Sequence, residues 1–138
     1  LNFKIQLTTN QVFDVTNMIL KDNYTNLINN EILNNYNTPG EILRLIDFAK
    51  NNEINLKMSS LVQLINKIMM DKNYKKDSYT KQLIYSLIEI YFRNNTSVKN
   101  VKLTNVYNYF LKKINYTKIY NLDEESLFME FEDKVING

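Results

Sequence analysis

Between residues 57 and 118 the chain carries 12 basic and 3 acidic side chains, a local charge of +9. This block includes Lys67, Lys72, Lys75, Lys76, Lys81, Arg93, Lys99, Lys102, Lys112, Lys113 and Lys118, interleaved with Tyr74, Tyr79, Tyr107, Tyr109 and Tyr116. Lysine ammoniums neutralise phosphates and release counterions, and tyrosine rings stack on unpaired bases. Lys72, Lys75, Lys76, Lys99, Lys102, Lys112 and Lys113 are the residues expected to touch phosphate. With only Arg44 and Arg93 in the chain, bidentate readout of guanine is not expected. A solvated face is the competing reading, because Lys is the default surface cation of such a composition and Tyr fills cores.

Other chemistry is narrower. The chain has no Cys, His or Trp, which removes disulfides, a catalytic thiol, imidazole acid–base chemistry and the usual Cys/His zinc site. Ser59, Ser60, Ser78 and Ser126 therefore have no imidazole to activate them. Glycines stand only at 40 and 138, so no Gly-rich phosphate loop can form. No catalytic residue, metal or cofactor is expected. Asp123, Glu124, Glu125, Glu130, Glu132 and Asp133 resemble a metal or acid–base cluster by number alone. Asp123 to Glu125 more simply favour the positive end of a helix, and docking of this acidic helix on a basic neighbour, within or between chains, is a second expectation. Tyr91, Phe92, Tyr107 and Phe110 have the spacing of an aromatic cage, but such stripes are ordinarily core.

The charge is uneven along the chain. Residues 1–56 sum to −2 and residues 119–138 to −5, so a basic centre lies between acidic ends. Apolar residues at 44% exclude general disorder, and 138 residues suit one domain with a core of its own. Two Gly and one Pro are too few for the turns of an all-β fold. No stretch approaches the roughly 20 apolar residues that span a bilayer. The first residue is Leu1 rather than Met, which leaves room upstream for a presequence, a signal or a whole domain. Four Asn-x-Ser/Thr triplets begin at Asn23, Asn94, Asn95 and Asn115, but in a chain with 23 Asn such triplets arise by chance. The Asn, Ile, Lys and Tyr bias, with Ala49 the single alanine, is that of an AT-rich coding sequence.

The elements that must position these residues are helical. Leu83, Ile84, Leu87, Ile88, Tyr91 and Phe92 form one apolar stripe, and Leu103, Val106, Tyr107, Phe110, Leu111 and Ile114 form the next. Earlier, residues 1–7 alternate and are read as an extended lead-in. Thr8 and Gln11 make a capping-box pattern for a helix that turns Val12, Val15, Ile19 and Leu20 inward. A helix over Tyr24–Asn35 follows, carrying Leu27, Ile28, Ile32 and Leu33. Thr38-Pro39-Gly40-Glu41 starts another, with Thr38 as cap, Pro39 at the first helical position and Glu41 at the positive end. Its face is Ile42, Leu45, Ile46 and Ala49. The next helix is expected over Lys57–Asp71 with Met58, Leu61, Val62, Ile65, Ile68 and Met69 inward, then a polar loop at Lys72–Ser78. Asn121 is expected to cap a last helix with Leu127, Phe128, Phe131 and Val135 on its face.

The fold class expected is therefore all-α, with about seven helices as stacked antiparallel hairpins in an α-solenoid-like row. Leading helices begin near residues 8, 38, 78 and 121, and Leu45-Ile46-Asp47 matches Leu87-Ile88-Glu89 in successive ones. A compact bundle would give nearly the same stripes and remains the alternative.

The run Thr38-Pro39-Gly40-Glu41-Ile42-Leu43-Arg44-Leu45-Ile46-Asp47-Phe48-Ala49-Lys50-Asn51-Asn52 resembles leading helices in the helical-hairpin repeats of FAST-kinase-like and RAP-domain proteins. Those open with a Ser/Thr-Pro cap and run through leucines to a small residue, here Ala49. The likeness covers Thr8–Gly138 loosely and Thr38–Ile68 best; the family's frequent Trp and its terminal RAP module are not seen. It implies an organellar, mitochondrial RNA-binding role, in a ribosome or RNA-processing assembly. The function expected is a non-enzymatic scaffold whose partner is RNA or a ribonucleoprotein. The alternative is a protein–protein module, such as a viral Bcl-2-like bundle taking an amphipathic helix, although that fold's Asn-Trp-Gly-Arg type motif is missing.

Overall fold

A computed structural model describes residues 5–36, 38–96 and 101–138 of the chain. The described residues are all-α: seven α-helices joined by short 3-10 and π turns, and no strand. Contacts divide the chain into two compact units, residues 1–64 and 65–138, with the division falling inside the fourth helix.

In the first unit, residues 5–8 have no regular structure, and residues 1–4 of the expected lead-in lie outside the described residues. Helix α1 (Thr9–Leu20) starts on the expected box: Thr8 N–H donates to Gln11 Oε1 at 2.9 Å and Gln11 N–H donates to Thr8 Oγ1 at 3.3 Å. It packs on α3 (Pro39–Asn51). Its inward face is narrower than the apolar pattern predicts. Val12 and Thr16 are buried, whereas Val15 is 37% and Ile19 57% exposed. Thr16 is tolerated there because its hydroxyl donates back to the Val12 carbonyl at 2.7 Å.

The single helix expected over Tyr24–Asn35 is two pieces, a 3-10 turn at Tyr24–Asn26 and α2 (Asn30–Leu33). Asparagines break it. Asn23 Oδ1 accepts from Thr25 N–H, and Asn29 Oδ1 accepts from Ile32 N–H at 3.0 Å, so each side chain starts a new turn instead of continuing the old one. Ile28 and Ile32 are fully buried all the same.

The Thr38-Pro39 start of α3 stands as expected. Thr38 Oγ1 accepts from Glu41 N–H at 3.3 Å and donates to Glu41 Oε2 at 2.9 Å. Ile42, Leu45, Ile46, Phe48 and Ala49 are buried along it. Helix α4 (Leu61–Met70) begins four residues after the expected Lys57. Asn55 Oδ1 accepts from both Lys57 and Met58 N–H groups, which holds that stretch in a turn. Ser60 and Gln63 then make a capping box that starts the helix proper. Met58, outside the helix, is 79% exposed rather than inward.

In the second unit, the loop after α4 contains a 3-10 turn at Asn73–Lys75 that buries Asn73 and Tyr74. Helix α5 (Ser78–Asn95) is capped by Asp77, whose Oδ1 accepts from Thr80 N–H at 2.7 Å. It buries Thr80, Leu83, Ile84, Tyr85, Leu87, Ile88, Ile90 and Phe92, which at 3.6 residues per turn is more than half its circumference. Helix α6 (Val101–Tyr120) packs on α5 but buries only Phe110, Ile114 and Thr117. Helix α7 (Glu124–Phe131) packs on α6 and continues into a π turn at Glu132–Ile136. Its cap is Asp123, not the expected Asn121, since Asp123 Oδ1 accepts from Glu125 N–H at 3.1 Å.

Phe131 lies at the centre of this core. Its ring meets Phe92 and Phe110 at 5.7 Å each and Tyr91 at 5.9 Å, all near perpendicular. Phe128 meets Tyr74 at 4.7 Å and Tyr85 at 5.5 Å. The four aromatics at 91, 92, 107 and 110 are thus part of a packed core around Phe131, not a cage.

Lys21, Glu53, Lys72 and Asn121 adopt left-handed φ of 50–56° just past α1, α3, α4 and α6. There they let the chain turn back: Ile54 N–H donates to the Ala49 carbonyl at 2.8 Å and Leu122 N–H to the Thr117 carbonyl at 3.2 Å.

Candidate nucleic-acid interface

The expected phosphate-contacting lysines do not form one free surface. Lys72 and Lys75, at either end of the turn before α5, both reach Glu125 of α7. The Lys72 ammonium is 2.6 Å from Oε1 and the Lys75 ammonium 2.6 Å from Oε2. Lys113 of α6 pairs with Glu130 Oε2, and Lys134 lies 2.6 Å from Glu130 Oε1. Lys76 donates to Asn73 Oδ1. Lys102 and Lys112 are exposed on α6 and form none of the ion pairs among the described residues. Lys99 lies outside the described residues.

The acidic helix is therefore docked within the chain, on the basic block. Lys81 joins the pattern at 2.6 Å from Glu124 Oε1, and the buried Tyr85 hydroxyl donates to the same oxygen at 3.2 Å. Tyr109 hydroxyl donates to Glu130 at 2.8 Å. Hydrogen bonds from Lys72 and Lys75 pull the Glu125 carboxyl down to about 2. Partial burial alone would raise Glu130, but hydrogen bonds from Lys113, Lys134 and Tyr109 outweigh it and bring that carboxyl to about 2 as well. Burial, reinforced by Glu124, pushes the Tyr85 phenol up. Among the described residues no three acidic groups converge as a metal site would require.

A second surface was only partly foreseen. Lys102, Asn105, Tyr109, Lys112, Tyr116 and Tyr120 recur every three or four residues and are all exposed, so they form one outward face of α6. Tyr116 and Tyr120 are 55% and 66% exposed, with ring centroids 6.0 Å apart. Tyr120 lies outside the basic block and so escapes a charge-based reading, whereas helical spacing counted from Tyr109 reaches it. Of the other tyrosines in the block, Tyr74 is buried, and Tyr107 packs 5.1 Å from Phe92.

Between α5, α6 and α7 lies a cavity of about 420 Å³, with Lys81, Tyr85, Lys118 and Glu124 on its walls. Lys118 stands 4.7 Å over the Tyr85 ring. No described helix is long and apolar enough to cross a membrane. Comparison with protein-family models, curated proteins and solved structures gives no significant match.

Proposed function

We propose that this chain is a non-enzymatic helical scaffold that binds RNA, as part of an organellar, mitochondrial ribosome or RNA-processing assembly. The observation that carries the reading is the outward face of α6, where Lys102 and Lys112 share one side of the helix with the exposed rings of Tyr116 and Tyr120; Tyr109, on the same side, is engaged by Glu130, Lys113 and Lys134. Exposed tyrosines supply stacking surfaces for unpaired bases, and the lysines beside them meet the backbone. The scarcity of arginine favours single strands without strict sequence preference. The hairpin-repeat resemblance of Thr38–Ile68 supports the organellar setting.

Fluorescence anisotropy with a labelled oligouridylate tests it. Binding should weaken as salt rises, and Tyr116→Ala should cost about 1–3 kcal/mol of affinity, the worth of one stacked base. Binding indifferent to both salt and Tyr116 would refute the reading.

A protein–protein module is the second reading, in the manner of a Bcl-2-like bundle. It draws support from α5, which buries more than half its circumference as the central helix of a bundle does. Salt-insensitive, saturable binding of an amphipathic helical peptide, without oligouridylate binding, would favour it.

A further inference from the structure

The way α7 meets the basic block has more order than casual surface pairing. Glu125 and Glu130 each hold two lysines, one on each carboxylate oxygen: Lys72 and Lys75 on Glu125, Lys134 and Lys113 on Glu130. A phosphodiester presents its two non-bridging oxygens in the same forked way, with the same single negative charge. The lysine side chains of these pairs are 35–57% exposed, Glu125 is 36% exposed and Glu130 19%. The other face of α7 is anchored separately, with Leu127, Phe128 and Phe131 buried to within 0–2% exposure. Beside that apolar docking, the carboxylates thus occupy lysines that phosphates would suit.

We propose that α7 is an internal mimic of a nucleic-acid backbone, which occupies Lys72, Lys75 and Lys113 and confines RNA to the α6 face. The inference rests on the RNA-binding reading and adds a regulatory element to it. Displacing or neutralising α7 extends the basic surface from α6 to the turn before α5.

The test compares two variants of the full chain that lose equal charge. E125Q/E130Q releases Lys72, Lys75 and Lys113, and with them Lys134 of the turn that continues α7. E132Q/D133N removes two carboxylates that form none of the ion pairs among the described residues. Far-UV circular dichroism checks that both fold, as the buried face of α7 leads one to expect. Oligouridylate affinity is then measured against salt, with polyglutamate as a second probe. For E125Q/E130Q the slope of log affinity against log salt should steepen by about 2, at about 0.7 per phosphate contact on a single strand, and E132Q/D133N should change it by less than half as much. Equal behaviour of the two variants overturns the mimic, since net charge alone would explain it. Wild type that binds while E125Q/E130Q binds no better also overturns it, and leaves the RNA reading standing. If only polyglutamate binds E125Q/E130Q with the steeper slope, the RNA reading falls while competition by Glu125 and Glu130 for these lysines stands. Failure of both probes with every form overturns both.

Discussion

Phe131→Ala separates the forces that hold α7 in place. The side chain is fully buried and makes three near-perpendicular ring contacts, with Phe92, Phe110 and Tyr91. Removing a buried phenyl costs about 3–5 kcal/mol from lost transfer and the cavity left behind. Edge-to-face pairs add about 0.5–1.5 kcal/mol each beyond area, which places this site toward the upper end. Against a total stability on the order of 5–15 kcal/mol, that is a large share. At roughly 3–4 °C per kcal/mol for a chain of this size, Tm should fall by about 10–20 °C. Thermal melts followed by far-UV circular dichroism measure it, with urea titration as a check. Under the same conditions E125Q/E130Q should lower Tm less, because the Glu125 pairs are screened by solvent and Glu130, 19% exposed, pairs with lysines that are 35% and 55% exposed. A Gln pair as damaging as Phe131→Ala would refute this reasoning: the carboxylates would then be structural.

Two further outcomes follow from the same geometry. Glu125 and Glu130 are held at about 2 against an ordinary value of 4.5. A depressed carboxyl stabilises the fold fully above its unfolded value and loses that contribution as pH falls through its folded one. Stability should therefore decline between about pH 4.5 and pH 2, and urea midpoints of E125Q/E130Q should fall less over that window than those of wild type. Thr38→Ala removes the hydroxyl that accepts from Glu41 N–H and should cost about 1 kcal/mol by urea titration, with the folded structure unchanged.

What the sequence reveals here depends on whether the determining contact is local. The starts of α1 and α3 are written within four residues, Thr8 to Gln11 and Thr38 to Glu41, and both are where the pattern puts them. The stripes of α5 and α7 are long or dense enough to survive averaging over neighbours. Val15 and Ile19 mislead, because an apolar side chain records the capacity to be buried and not a partner that buries it. The asparagines at 23, 29 and 55 mislead in another way. Each offers the backbone a hydrogen bond that competes with the helix, and propensity alone does not say which wins. Meeting of acidic and basic segments is suggested by the charge blocks, but no rule of spacing pairs Glu125 with lysines fifty residues away. That pairing depends on the Phe128 and Phe131 packing that seats α7. The α6 face was legible in principle, since its six residues keep helical register.

The four left-handed junctions hold unspent stability. None is glycine, although the mirror-image conformation strains every side chain that carries a β-carbon, by on the order of 1 kcal/mol and least for asparagine. Glycine in place of Lys21 or Glu53 would relieve that strain without disturbing one core residue, whereas Lys72 also carries the ammonium that holds Glu125.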